Sequence, residues 1–356
     1  MRATDDHSSA IAERVARAAE AGTALRIRGG GSKDFHGRTP VGDVLDISGH
    51  RGIVNHEPTE LVLTARAGTR LRAIEAALRK AGQMMPFEPP HFDGRATLGG
   101  AIASGLSGPR RPWAGSARDF VLGVRLINGK GQQLRFGGEV MKNVAGYDIS
   151  RLVTGSLGTL GVITEVSLKV LPAAAAETTR VLELPPEQAF AQVETHFRAG
   201  MPITGAVHDG TSLYVRLGGA ERAVAAGRER LGGEALGDAP AFWRALRDHK
   251  LPFFLAAGPP LWRISLPPRT AVPELPGPRL FDWNGQLVWQ RTETDAERVF
   301  AAAAECGGHA MKFYGGERDA EVFQPLSRPA RQLHERLKRA FDPAGVLNPG
   351  RMYGGL

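Results

Sequence analysis

Apolar residues recur at helical spacing over residues 9–21, where Ile11, Val15, Ala18 and Ala19 share one side and Gly22 follows as a stop. A short apolar strand at 24–27 then runs straight into Arg28-Gly29-Gly30-Gly31-Ser32-Lys33, three successive glycines with a basic residue on either side. Strands are expected at 44–47 and 61–67. A helix follows them, its buried stripe Leu71, Ile74 and Leu78 lying between Thr69 as N-cap and Gly82 as stop. Residues 121–127 and 133–136 flank Asn128-Gly129, a strong hairpin signal. The segment 142–148, KNVAGYD, leads to a helix at 149–154, glycines at 155, 158 and 161, and a closing strand at 162–170 with period-2 alternation.

Past a linker at 173–177 the texture changes. Strands are expected at 181–184, 213–217, 262–264, 287–289 and 309–313, and helices at 186–198, 220–231, 242–249 and 295–306. That alternation predicts an α+β layer, an antiparallel sheet with helices on one face. The proline-rich links at 267–268 and 273–278 read as loops. A last helix at 330–340 hands over to FDPAGVLNPGRMY. The expected domains are 1–172, a second domain at 173–328, and a C-terminal helix and tail, 329–356, that returns to the first.

Glycine is densest between Thr97 and Asp119, TLGGAIASGLSGPRRPWAGSARD, a stretch with little bulk for a core. Glycine permits positive φ and lets backbone come against a foreign surface. The interleaved Leu98, Ala101, Ile102, Ala103 and Leu106 are unlike the filler of a flexible linker. Glycine clusters at 29–31, 99–115 and 155–161 in one domain describe a groove lined by backbone N–H groups, the means by which a chain binds phosphate oxygens.

Other chemistries lack their patterns. No G-x-G-x-x-G follows the first strand with an acidic residue about 20 positions on, and there is no G-x-x-x-x-G-K-[ST]. Ser104, in ASG, lacks the first glycine of a nucleophile elbow. The histidines are scattered with no H-x-H or H-E-x-x-H, so no metal site is read from spacing, and His91 and Asp93 read as a surface turn.

With 45 Lys+Arg against 37 Asp+Glu the net charge is +8, which suits a phosphate-bearing ligand. No stacking platform or zinc spacing suggests nucleic acid. The single cysteine, Cys306, rules out an intrachain disulfide and a cysteine-held iron-sulfur cluster within this chain. The N-terminus, with Asp5 and Asp6, has no apolar signal region, and no run approaches a membrane span. A cytoplasmic protein is expected, able to sit at the inner face of the cytoplasmic membrane through a complex.

Four segments appear in a known family's order: RIRGGGSKDF, ATLGGAIASGLSGPRRPWAGSARDFVLGVRLINGKG, KNVAGYDISRLVTGSLGTLGVITEVSLKVLP and FDPAGVLNPGR. In this the chain resembles the vanillyl-alcohol-oxidase-type FAD-binding proteins, and among them the E-type FAD-binding subunits of bacterial glycolate oxidases. The resemblance implies an α+β FAD domain with a cap domain, and a role in moving electrons from glycolate, a small 2-hydroxy acid, toward quinone. The partners it implies are a second flavin subunit and an iron-sulfur subunit. It also implies that Gly29, Gly30, Gly31 and Ser32 form the pyrophosphate loop, edged by Arg28 and Lys33. Thr97, Gly99, Gly100, Ala103, Ser104 and Gly105 would follow the ribityl chain and pyrophosphate. Gly115, Arg118 and Asp119 would close a second phosphate-side loop, Gly161 and Ile163 would meet the adenine end, and Asn348 would return toward the flavin ring. Ser32 stands where flavin-tethering members have a histidine, so non-covalent FAD is expected.

The related catalytic subunits carry paired histidines that this chain lacks. Whether its flavin takes the hydride or relays electrons stays open. A self-sufficient 2-hydroxy acid dehydrogenase and a purely structural subunit are the alternatives. The candidates for a substrate-side group are His309, as a base titrating near neutral pH, and Lys312, with Tyr314 and Arg110 as further carboxylate anchors.

Overall fold

A computed structural model describes residues 6–138 and 147–356. Lys142 to Gly146 of the KNVAGYD segment lie outside the described residues. The chain divides into two compact units, one of Met1–Leu106, Ser116–Pro172 and Arg318–Leu356, the other of Ser107–Gly115 and Ala173–Glu317. The first unit therefore takes the chain back at Arg318, and the second includes a short piece of the long glycine stretch.

In the first unit, α1 (Ser8–Ala21) buries Ile11, Val15 and Ala18 and ends at Gly22 in the left-handed region. β1 (Leu25–Arg28) pairs in parallel with β2 (Asp43–Asp46). β3 (Ile53–Glu57) and β4 (Val62–Arg66) open a five-stranded antiparallel sheet. After α2 (Leu71–Lys80), β5 (Gln83–Met84) and α3 (Leu98–Ser104), the chain gives α4 (Arg111–Ala114) to the second unit. β6 (Val121–Ile127), β7 (Gln133–Gly137), α5 (Ile149–Val153), β8 (Val162–Lys169) and β9 (Leu171–Pro172) complete the run, and the sheet order is β3-β4-β8-β6-β7. β8 sits between β4 and β6 with both faces largely buried. Its period-2 pattern thus reflects residue type more than exposure, as in strands covered on both sides.

Two local expectations change. Arg70, with no side-chain cap, precedes α2, because the Thr69 hydroxyl is drawn to Gly52, accepting from its N–H at 2.8 Å. Leu71, Ile74 and Leu78 are fully buried as expected, each contributing about 1.5–3 kcal/mol of hydrophobic stabilisation. In the glycine stretch lies a helix, α3, that its composition hides. Thr97 caps it, and Gly99 abuts Ala67, where a Cβ would come within 2.6 Å of the Ala67 methyl. Tertiary close approach here overrides helix propensity.

The second unit is an eight-stranded sheet in the order β13-β10-β12-β11-β15-β16-β14-β17, every pair antiparallel. Its elements are β10 (Ala176–Glu183), α6 (Pro186–Arg198), β11 (Ile203–His208), β12 (Ser212–Gly219), α7 (Glu221–Leu231), β13 (Glu234–Ala235), α8 (Ala239–Arg247), α9 (Pro252–Leu255), β14 (Leu261–Ser265), β15 (Arg279–Asp282), β16 (Leu287–Arg291), α10 (Ala296–Glu305) and β17 (His309–Tyr314). One core joins Val193 of α6 to Ile203, Val215 and Val224, and another joins Trp262 and Ile264 to Val299, Phe300 and Ala303 of α10. β11 was hidden by Gly205, whose missing side chain admits the Trp243 ring at 2.9 Å from where a Cβ would stand.

Candidate cofactor-binding site

The parts of the three glycine clusters that lie in the first unit meet in a closed circuit. Gly29 backs onto Thr97, with 2.5 Å from its absent Cβ to Thr97 Oγ1, and a Cβ on Gly30 would run into the Arg95 carbonyl. At the far end of α3, Gly105 lies against Gly155, and the third cluster is tied there by Gly155 N–H to Ile102 O (2.9 Å) and Leu157 N–H to Ala103 O (2.8 Å). The circuit closes through Asn348, whose Oδ1 accepts from Ile27 N–H (2.8 Å) and whose Nδ2 donates to Leu157 O (2.6 Å). Next to it, the tail runs beside β1, with Leu25 N–H to Val346 O and Asn348 N–H to Leu25 O.

Two arcs of this circuit hold backbone donors without an acceptor. Among the described residues, none of the N–H groups of Gly30, Gly31 and Ser32 makes a hydrogen bond, nor do those of Gly158, Leu160 and Gly161. The second set lies in buried residues, where more than nine in ten N–H groups are normally paired. Converging unpaired N–H groups on glycine-rich turns form a nest for an anion. The edge of the first arc is basic. The Arg28 guanidinium lies over Gly31 and pairs with Asp34 (3.2 Å), and Lys33 Nζ sits 5.4 Å from the Phe92 ring centre. Arg318 and Arg351 fix the following turn, donating to the carbonyl of Asp34 at 2.7 and 3.1 Å. Burial holds the Arg351 guanidinium down to about 10.

The long middle cluster behaves differently. Leu98 and Gly99 N–H donate to Thr69 O and Ala67 O, and Gly100 N–H to Thr97 Oγ1, so the start of α3 is satisfied within the protein. What it presents instead is a face. Gly100, Ala103 and Ser104, spaced three and four apart, are half-exposed, while Leu98, Ala101 and Ile102 are buried. A strip of such small residues suits an extended chain laid along the helix.

The remaining predicted residues separate. Gly115 ends α4 in the second unit. Asp119 is engaged locally, its Oδ2 accepting from Ser116 N–H (2.8 Å) and Ser116 Oγ (2.7 Å). Arg118 lines a cavity of about 210 Å3 in the first unit with Thr154, Ser156, Thr159, His334 and Tyr353, beside the third cluster. Ile163 is buried in β8 opposite Leu126. Asn348, expected near the flavin ring, has its amide engaged in closing the circuit. Gly158 was read in the sequence as part of the third glycine cluster but, like Leu160, was not singled out as a cofactor-binding residue.

In the second unit, His309 and Lys312 lie on opposite faces of β17, by the alternation of the strand. Lys312 Nζ lies 5.6 Å from the Trp262 ring, in the layer packed on α10. His309 keeps an edge open to solvent, though its ring lies among other groups, and stands opposite Ser265 in register. Burial first, then Arg263 and Arg111, pull its imidazole below the usual range. Arg110 is buried and paired with Glu177 at 3.1 Å. Among the described residues no group of three His, Cys, Asp or Glu side chains is placed to hold a metal ion, and no helix is long and apolar enough to cross a membrane.

The circuit of glycine loops lies on a unit of mixed helices and strands that is an FAD-binding domain, since residues 4–137 match the family of FAD binding domains. The fold is that of the vanillyl-alcohol-oxidase type. Alkyldihydroxyacetonephosphate synthase superposes with a TM-score of 0.65 at 15% identity, over 97% of this chain and 76% of that one. The chain is 50% identical over 351 residues to glycolate oxidase subunit GlcE of Escherichia coli K12, covering 99% of both, and it belongs to the GlcE family. Glycolate oxidase subunit GlcD of Bacillus subtilis 168 is 25% identical over 92% of this chain and 83% of its own length.

Proposed function

We propose that this chain is the FAD-binding subunit of a multi-subunit glycolate oxidase and holds its flavin non-covalently. The observation that carries the proposal is the pair of arcs, one of Gly30, Gly31 and Ser32 and one of Gly158, Leu160 and Gly161, whose N–H groups have no acceptor among the described residues. Gly30, Gly31 and Ser32 would hold the pyrophosphate, with Arg28 and Lys33 at the margin. Gly158, Leu160 and Gly161 would offer donors to the polar edge of the adenosine half. The small face of α3, Gly100, Ala103 and Ser104, would let the chain between them lie flat. Bound FAD supplies the capacity to exchange two electrons with an organic donor and one at a time with a redox partner. The protein's part is to bind and orient it, and Asn348 keeps the two arcs in register. A second flavin subunit and an iron-sulfur subunit complete the proposed complex.

The test is to reconstitute the oxidase with this subunit in FAD-loaded and FAD-stripped forms and follow glycolate-dependent reduction of an artificial acceptor. Activity is expected only with the loaded form. Equal activity from the stripped form would make the chain a structural subunit. Bleaching of the isolated chain's flavin by glycolate, unchanged when partners are added, would make it a self-sufficient dehydrogenase.

A further inference from the structure

The turn at 33–39, which directly follows the first arc, is held from far along the chain. Asp34 is engaged at each of its polar groups. Its N–H donates to Gly31 O (3.2 Å), inside the arc, and its carboxylate pairs with Arg26 (2.7 Å) and Arg28 (3.2 Å) of β1. Its carbonyl accepts from Arg318 and Arg351, which stand 284 and 317 positions away in sequence.

Arg318 is the residue at which the chain returns to the first unit. Its guanidinium also donates to Gly37 O (2.8 Å) and Arg38 O (3.2 Å), and Arg351 donates to Arg38 O as well. One guanidinium can hold several carbonyls at once because its N–H donors lie in a fixed fork. The turn donates in return. Arg38 N–H reaches Arg351 O (3.0 Å), Thr39 N–H reaches Arg318 O (3.3 Å), and the Arg38 guanidinium reaches Ala320 O (2.6 Å). Asp319 and Ala320 are exposed, so residues 318–320 are held by these polar contacts and not by apolar burial. Segments held in that way are the ones that open locally.

We infer that Arg318 and Arg351 are positioning residues for the flavin, which hold the turn at 33–39 and, through Asp34, the N–H groups of Gly30, Gly31 and Ser32 in the arrangement that binds the pyrophosphate. They act through the backbone of the turn and not by touching the cofactor. FAD finds its donors converged only while the returning segment is docked, so the two events share one equilibrium. Linkage makes the effect mutual: docking of residues 318–320 favours FAD, and FAD favours docking. The inference rests on the proposed FAD site and adds the segment that shapes it.

The experiment has two readings on the full chain. One is fluorescence titration of the stripped protein with FAD. The other is the rate of tryptic cleavage after Arg318 in stripped and loaded protein, followed by mass spectrometry, since a guanidinium held on carbonyls must be released before trypsin can take it. FAD should slow that cut at least about fivefold, the low end of coupling between linked sites, and leave the cut after exposed Lys250 of the second unit unchanged. Arg318→Gln should weaken FAD at least about fivefold. Arg318→Lys keeps the charge but loses the fork, and should stay nearly as weak. Arg339→Gln, exposed on the C-terminal helix, should bind as the parent does. Circular dichroism establishes that each variant is folded, and if Arg318→Gln is not, Arg38→Gln opens the same contact from the turn and should show the loss. FAD affinity equal to the parent's in the folded variant, full recovery with lysine, or a cut after Arg318 that FAD leaves unchanged would each overturn the inference. A chain that takes up no FAD would sink the flavin proposal and this one with it, whereas FAD uptake with an unchanged cut would sink this one alone.

Discussion

The two units arrange their polar groups by opposite means. In the first, backbone N–H groups on glycine turns have no acceptor among the described residues, and Arg28, Arg318 and Arg351 beside them are tied to Asp34 or to carbonyls. In the second, the backbone is paired in a sheet of eight strands, and the groups drawn together are guanidiniums stacked on a strained tryptophan. Backbone donors suit a long ligand of fixed shape, because each is placed by the chain's own path. Side-chain cations suit a small anion that must enter and leave.

The comparison breaks most sharply at Gly30. Gly30→Val puts side-chain atoms where the Arg95 carbonyl stands, so the loop must move. Flavin per chain should fall more than about tenfold, while circular dichroism shows the chain still folded. Flavin content close to the parent's would show that the first arc is not the cofactor's seat.

Next in size is Lys338, a buried side chain that donates to Thr159 O (2.9 Å), Asp342 Oδ2 (2.8 Å) and Leu347 O (2.7 Å), pinning the C-terminal helix (Arg328–Phe341) and tail to the third cluster. Lys338→Met leaves the Asp342 carboxylate buried without its cation and should cost about 3–5 kcal/mol, read as a lower midpoint in urea. An unchanged midpoint would show that the tail is held without it.

His249 sharpens the other side. It is packed among Phe254, Trp289 and Phe313, and burial lowers its imidazole to about 3. Between about pH 6.5 and pH 3 the unfolded chain therefore binds a proton that the folded chain does not. Stability from this group is full above pH 6.5 and is lost as pH falls, by at most about 1.4 kcal/mol per pH unit. The gap between His249→Phe and the parent should shift in the variant's favour from pH 7 to pH 5 in denaturant titrations. A constant gap would mean that His249 titrates alike in both states.

Smallest is Ser32→Ala. If the backbone N–H of residue 32 is the working donor, flavin affinity should stay within about twofold, below the cost of one hydrogen bond. A larger loss, measured by fluorescence titration of the stripped chain, would move recognition onto the hydroxyl.

The first unit was far more legible in the sequence than the second. Its glycine clusters are contiguous, and positive φ or close approach restricts what residue can stand there, so the loop at 29–32 and the third cluster could be read directly. The helix inside the middle cluster could not, because Gly99 and Gly100 speak against a helix until Ala67 is seen beside them. The gathering of Arg111 and Arg263 on the Trp283 ring was not legible at all. Arg111, Arg263, Trp283 and His309 come from separate elements, and each alone looks like an ordinary surface or core residue. Strand register also separates His309 from Lys312, which sequence proximity had grouped. Side-chain clusters assembled from distant segments leave no local pattern, whereas a backbone nest leaves glycines in a row.

The central claim, that the chain holds FAD through backbone donors without a covalent tether, is tested most directly by acid precipitation of the purified protein. The account predicts a yellow protein whose FAD, close to one per chain, passes wholly into the supernatant. Flavin that stays with the precipitate, or a protein that carries none after gentle purification and takes up none when FAD is added, would contradict it.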